Sequence, residues 1–217
     1  MSTVTFHKPA TTLREARAIA GTIGKPSKMP GISYGISAHH CNVGAKLAQV
    51  PGSVCHGCYA LKANYQYPSV AAAHAKREAN LGTPAWIDAM AFMIRRSGET
   101  FFRWHDSGDI QSLGHLLAIV RIAEELPKVS FWLPTREKAL VRQYQRAFGE
   151  FPDNLTVRVS GAMVDGPAPS GFANVSVVVS DATHSSNACP APRQGNRCLD
   201  CRACWDRNVR IVAYTQH

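Results

Sequence analysis

Seven cysteines, and the way they are spaced, constrain this chain more than any other feature. Cys41, Cys55 and Cys58 lie in the first third, and Cys189, Cys198, Cys201 and Cys204 lie near the C-terminus. The 130 residues between the two groups contain none. The count is odd and residues 1–12 lack an apolar signal core, which disfavours a disulfide framework. Two groups with two-residue spacers favour metal or iron–sulfur ligation instead. Each group must therefore be gathered around its own centre, and the cysteine-free stretch must supply the body that holds the two.

That body reads as alternating strands and helices. Residues 12–20 form a short helix, followed by a Gly/Pro-rich passage and a strand within 32–37 that leads into His39, His40 and Cys41. Residues 68–80 form an alanine-rich helix. Thr83-Pro84 is a helix start, with a capping hydroxyl followed by a proline whose missing N–H costs nothing there. Trp86, Met90, Met93 and Ile94 share one face of the helix that follows, and this stripe reads as core packing. A strand at 101–105 runs into Asp106-Ser107-Gly108-Asp109. Ser112 caps a helix to Leu126, a strand spans 129–133, and Thr135 caps a helix to Phe148 with Gly149 as its stop. Strands at 155–160 and 175–180 close the series.

This rhythm predicts an α/β fold with a partial (β/α) barrel of about five to six mainly parallel strands. It predicts one domain over 1–217: an N-terminal extension at 1–30, an α/β core at 31–184 and a Cys-rich cluster segment at 185–217. In such folds functional side chains gather at the C-terminal strand ends. Here those ends carry His39-His40-Cys41, His105 to Asp109, Thr135-Arg136, Ser160-Gly161 and Ser180 to His184.

The net charge is +9, with 16 arginines against 8 lysines. Arginine is the better fork for phosphate and carboxylate, so an anionic partner or substrate, a small molecule or a nucleic acid, fits the balance. The basic residues are scattered, however, and no reading motif for nucleic acid stands out. No apolar run reaches membrane-spanning length, so no membrane partner is expected and the location reads as cytoplasmic.

The first cysteine group leaves two readings open. Three thiolates on a cubane cluster leave one iron free for a ligand. Alternatively His39, His40 or His56 supplies a fourth ligand and the site is structural zinc. The second group, Cys-x2-Cys-x2-Cys with Cys189 as a fourth ligand, resembles ferredoxin-type spacing. Arg193, Arg197, Arg202, Arg207 and Arg210 surround it, either as counter-charges to thiolates or as a face for an anionic partner.

Among the remaining polar residues, Arg103, His105, Asp106, Asp109 and Arg136 are the catalytic candidates. On a strand, Arg103 and His105 face one side while Phe102 and Trp104 face the other. There the pair could hold an anion or relay a proton, and Arg136 offers a planar fork for carboxylate or phosphate. Asp181 and His184 are further strand-end candidates. Tyr59, Tyr65 and Tyr67 could stack on a base.

At Cys55-His-Gly-Cys-Tyr-Ala60, Phe102-Arg-Trp-His-Asp-Ser-Gly-Asp109 and Phe131-Trp-Leu-Pro-Thr-Arg136 the chain resembles the gene-product-88-like proteins of bacteriophages, from about Gly31 to Cys204. That family is in turn distantly similar to radical S-adenosylmethionine enzymes. The resemblance implies a partial (β/α)6 barrel in which Cys41, Cys55 and Cys58 hold an open-iron [4Fe–4S] cluster. Cys189, Cys198, Cys201 and Cys204 would hold a second cluster. It also implies S-adenosylmethionine as a cofactor contacting Tyr59, Ser107, Gly108, Ser160 and Asp181, an external electron donor, and a host-cell cytoplasmic location. The first spacer is thirteen residues long here, and Ser107-Gly108-Asp109 stands where those enzymes carry a glycine-glycine-glutamate segment. The expected activity is that of a radical-type iron–sulfur enzyme. The alternatives are a zinc-braced basic nucleic-acid-binding module and a non-radical iron–sulfur protein for redox or sulfur transfer.

Overall fold

The computed structural model describes residues 9–181 and 187–216. Six strands form one sheet: β1 (Ile32–Tyr34), β2 (Phe101–Trp104), β3 (Ser130–Thr135), β4 (Leu155–Val164), β5 (Asn174–Val179) and β6 (Ile211–Thr215). Their order in the sheet is their order in the chain, every pairing is parallel, and the sheet does not close. The expected α/β fold with a partial barrel is therefore present, with β6 an addition to the strands legible in sequence. Among the described residues six α-helices accompany it: α1 (Leu13–Ala20), α2 (Asn42–Ala48), α3 (Pro68–Glu78), α4 (Pro84–Ser97), α5 (Leu113–Glu125) and α6 (Lys138–Phe148).

Sequential order has a consequence. Parallel crossovers share one hand, so a chain that always moves on to the next strand lays its helices on the same face. Helices α1, α4, α5 and α6 form that layer, each touching its neighbour. The main core lies between them and the sheet. Tyr34, Phe102, Trp104, Phe131, Leu133, Val157 and Val159 meet Ala16, Trp86, Met90, Leu116 and Ile119 there. The alternate strand residues face away from the helices. Trp132 and Val212 pack on that face with Cys204, Trp205, Phe101 and Tyr214, so the Cys-rich segment lies against the open side of the sheet.

Local chemistry sets most of the boundaries. Thr83 accepts a hydrogen bond from the Trp86 N–H and Pro84 opens α4, while Gly98 ends it at φ 71°, where a side chain would be strained. Ser112 accepts from the His115 N–H at the start of α5, and Thr12 and Glu15 form a capping box on α1. The expected Thr135 cap on α6 is not formed. Thr135 ends β3 instead, because its hydroxyl donates to Asp109 at 2.6 Å and accepts from the Glu137 N–H at 3.0 Å. A polar chain crosses the core: Trp86 Nε1 donates to the Tyr34 hydroxyl at 3.1 Å, which donates to the Ala20 carbonyl at 2.7 Å. It ties α4, β1 and α1 together, so the segment before residue 30 packs into the same core. Among the described residues no helix is long and apolar enough to cross a membrane.

Candidate metal centres

The first three cysteines sit on a loop stretched over the C-terminal rim of the sheet. Cys41 follows the short turn Ala38–His40 beyond β1, and Cys55 and Cys58 share one tight turn, closed by the Cys58 N–H donating to the Cys55 carbonyl at 3.1 Å. The loop is pinned to the next three strand ends in succession. The Tyr59 hydroxyl donates to the Asp106 carbonyl beyond β2. The Val43 N–H donates to Glu137 Oε1 beyond β3 at 2.9 Å. The Val54 N–H donates to the Ala162 carbonyl of β4 at 2.9 Å. At Gly44 an added Cβ would stand 3.0 Å from Cys41 Cβ, 3.5 Å from its sulfur and 3.7 Å from the Cys55 sulfur. The glycine thus lets α2 approach the two thiols, which flank one point.

Burial pushes the Cys41 thiol up to about 12, with Asp109 and the neighbouring thiols adding and Arg136 opposing. Cys55 is raised as well, again by burial, against the pull of Arg136. Thiols so placed stay protonated unless a cation takes the proton's place, which suits ligands whose deprotonation accompanies metal binding. His40 Nδ1 lies 2.8 Å from Glu78 and His56 Nδ1 lies 3.0 Å from the Ala48 carbonyl, so both rings have partners outside the thiol group. Among the described residues, no three His, Cys, Asp or Glu side chains stand close enough to hold a single metal ion.

The second group is held by backbone. The Cys189 N–H donates to the Ala213 carbonyl of β6 at 2.7 Å, the Cys198 N–H to the Lys28 carbonyl at 2.9 Å, and the Cys201 N–H to the Cys198 carbonyl at 2.9 Å. Cys204 is buried, and its sulfur lies 3.1 Å from the Tyr214 hydroxyl. Trp205 anchors the segment: its Nε1 donates to the Phe102 carbonyl at 3.0 Å and its own carbonyl accepts from Thr156 Oγ1 at 2.7 Å. The four thiols act on one another electrostatically. Burial is the main cause raising Cys189 and Cys198, and it lifts Cys204 to about 12. A cavity of about 350 Å³ opens beside Cys189, Tyr214 and Lys28.

Arg158, which the sequence reading passed over, supplies the clearest test of whether this set fits a metal centre. It is fully buried on β4. Its guanidinium donates to the carbonyls of Val175, Val209 and Arg210 at 3.0, 3.0 and 3.3 Å and to those of Ala203 and Asp206 at 3.0 and 3.2 Å. Among the described residues no carboxylate pairs with it or with Arg103, whose Nε is buried without a partner. Asp206 and Asp106 act on the two guanidiniums only from beyond salt-bridge distance, and a buried cation without a close counter-ion is expensive. Four thiolates around zinc, or around a dicationic iron–sulfur core, make a dianion, and both arginines exert their charge on Cys204 or Cys198. In donor type and charge balance the residues suit such a centre, although no three of these side chains converge on a single ion.

The other candidates divide by position. Arg103 is partly buried on the face away from the helices, its guanidinium 4.7 Å from the Trp132 ring centre. Burial works against its charge, but Tyr59, Asp106, Tyr214 and Cys204 hold the guanidinium more firmly protonated than usual. It therefore stands between the two cysteine groups. His105 does not share its face, contrary to the strand alternation. Strand β2 ends at Trp104, and His105 adopts φ 53°, which turns its ring into the core. There the ring lies 5.3 Å from that of His115 on α5, and its nitrogens lack well-formed hydrogen bonds. Burial, with His115 and Arg103 nearby, drives its basicity well below the usual range. It is thus placed as a neutral core residue.

Asp106 accepts from Ser33 Oγ at 2.8 Å, and Ser107 Oγ donates to the Ile36 carbonyl at 2.8 Å. The two segments touch so closely that a Cβ on Gly35 would stand 2.0 Å from Asp106 Oδ1, and one on Gly108 (φ 77°) 2.4 Å from Ile36 Cγ1. Asp109 Oδ1 accepts from the Ile110 N–H at 2.7 Å as well as from Thr135, and Oδ2 accepts from the Arg136 N–H at 2.8 Å. Burial still lifts its carboxyl to about 6. It braces the rim from within. Arg136 keeps an unpartnered buried Nε and directs its charge at Cys41 and Cys55. Ser160 bonds to Ser176 at 3.1 Å, and Asp181 lies exposed beyond β5. His184 lies outside the described residues. Tyr59 is exposed, its ring 5.8 Å from Tyr65. Of the C-terminal arginines, Arg193, Arg197, Arg207 and Arg210 are exposed, Arg207 pairing with Asp153, while Arg202 acts on Cys198 and lies over Phe101.

A family model described as gene product 88 matches residues 7–207. No curated protein and no solved structure matches the chain.

Proposed function

The chain belongs to the gene product 88 family, and on the chemistry of its two cysteine groups we propose that it is an iron–sulfur protein acting as a radical-type enzyme. Cys41, Cys55 and Cys58 would hold a [4Fe–4S] cluster with one open iron, and Cys189, Cys198, Cys201 and Cys204 a fully thiolate-bound second centre. The observation that supports this most is the placement of the loop carrying Cys41, Cys55 and Cys58 on the rim of an open, sequentially ordered parallel sheet, with the Cys41 and Cys55 sulfurs on either side of one point. A cluster so held supplies an open coordination position and one electron to a small molecule bound there, S-adenosylmethionine being the ligand that the sequence resemblance implies.

The surrounding residues do the rest. Arg136 offsets thiolate charge and faces a bound anionic group. Ser107 and Gly108 set the backbone of the β2 rim, and Tyr59 closes over it through Asp106. Asp109 fixes the β3 end from which Arg136 projects. Ser160, Gly161 and Asp181 extend the same rim toward a substrate.

The test is anaerobic purification with iron, sulfide and zinc analysis, followed by electron paramagnetic resonance of the reduced protein. The expected result is iron and acid-labile sulfide in near-equal amounts, and a spectrum that changes on adding S-adenosylmethionine and no longer does so in Cys58→Ala. Release of 5′-deoxyadenosine and methionine with a one-electron reductant would establish the reaction. Stoichiometric zinc without sulfide would overturn the reading. It would favour a zinc-braced module whose exposed Arg193, Arg197 and Arg210 contact nucleic acid.

A further inference from the structure

The second cysteine group has an organised surrounding that no sequence motif announces. Tyr214 lies on β6 with its hydroxyl 3.1 Å from the Cys204 sulfur. A ligating cysteine has lost its proton, so in a loaded centre the contact has a single sense: the hydroxyl donates and the thiolate accepts. Arg158 and Arg103 approach from β4 and β2, and both bring positive charge to bear on Cys204 without a carboxylate partner among the described residues.

We propose that Tyr214, Arg103 and Arg158 are positioning residues of the four-cysteine centre, Tyr214 by hydrogen bonding the Cys204 thiolate and the two arginines by neutralising a dianion inside the sheet. The inference rests on the reading that these four cysteines bind a metal or cluster. It adds that the centre is tuned from the strands as well as from its own loop, where Arg202 acts on Cys198. Outer partners of this kind govern affinity, and for iron–sulfur clusters the reduction potential depends on net charge and on hydrogen bonds to sulfur. A donor hydrogen bond and nearby cations favour the reduced, more negative form, so they raise the potential.

Tyr214 sits on β6 and its ring contacts survive in Tyr214→Phe, so this variant removes one hydroxyl with little change in packing. The full-length protein is loaded anaerobically and challenged with a chelator, with metal retention at the second centre followed in a Cys58→Ala background. Tyr214→Phe should lose metal about tenfold more readily than the parent. This holds whether the metal is iron or zinc. In the iron-loaded protein, a reductive titration followed by electron paramagnetic resonance should show a lower midpoint potential in Tyr214→Phe, and a lower one again in Arg103→Gln. Arg158 is left unsubstituted because its loss threatens folding.

Unchanged retention and unchanged potential in a metal-loaded Tyr214→Phe would overturn the inference and leave the metal reading intact. A parent protein that takes up no metal at Cys189, Cys198, Cys201 and Cys204 would overturn both.

Discussion

Arg158 offers the sharpest test of how the Cys-rich segment is held. One fully buried guanidinium donates to five main-chain carbonyls, that of Val175 on β5 and those of Ala203, Asp206, Val209 and Arg210 in the segment that follows the last cysteines. Replacement by lysine keeps the charge and most of the apolar stem. It cannot keep the geometry, because an ammonium has three donors at one point, whereas here the two terminal nitrogens of the guanidinium spread four over a plane, Nε having no partner. At least two carbonyls are then left without a donor. Each buried orphan costs about 1–3 kcal/mol, so with two of them Arg158→Lys should lose roughly 2–6 kcal/mol, and about 3 kcal/mol serves as a working value. For a domain of this size 1 kcal/mol shifts Tm by about 2–4 °C, which puts the expected drop at about 6–12 °C. Thermal unfolding followed by tryptophan fluorescence is the assay, since Trp205 lies in the anchored segment and should respond. A variant melting within about 2 °C of the parent would refute the reasoning, because it would mean that bulk and charge, not the fork, secure residues 203–210.

Acid should destabilise the protein through its core histidines. Burial holds His115 down to about 3 and His105 well below the usual range, so both are neutral in the fold while the unfolded chain protonates them near 6.5. The stability these rings contribute is therefore complete above that value and falls as pH drops from about 6.5 toward 3; urea titrations at pH 7 and 5 should differ by about 2 kcal/mol on account of His115, with His105 acting in the same direction. Gly35→Ala places a Cβ 2.0 Å from Asp106 Oδ1; it should displace the β2 rim and abolish ligand-induced spectral change while leaving iron at the second centre, measured by metal analysis. Cys198→Ala with Cys201→Ala should remove about half the bound metal; loss of all of it from a folded protein, by metal analysis and circular dichroism, would argue for one shared site.

The strands, helices and two cysteine groups were legible in the residues because they rest on local chemistry. Thr83-Pro84, Ser112 and Gly98 act within one helical turn, and the alternation of Phe102 and Trp104 against Phe101 and Arg103 acts along one strand. The same locality explains the errors. Thr135 reads as a helix cap until Asp109, brought from another strand end, takes its hydroxyl. His105 reads as a partner of Arg103 until a left-handed turn one residue past β2 sends it into the core. Strand β6 is short and follows a cysteine-rich stretch without a helix, so no rhythm marks it, although it carries Tyr214. Arg158 sits in an alternating run, Thr156, Arg158, Ser160, that announces a polar face but not what fills it.

The sequence by itself determined that two thiol groups exist and that a parallel α/β body separates them, since spacing and periodicity are properties of neighbours along the chain. Only the tertiary structure decided that the first group lies on the strand rim beside Arg136 and that the second lies against the open face over Arg158, Tyr214 and Trp132. Those placements depend on which carbonyls a buried guanidinium reaches and on which strand end a loop can lean, and such contacts join residues up to about a hundred positions apart, as Trp205 does with Phe102.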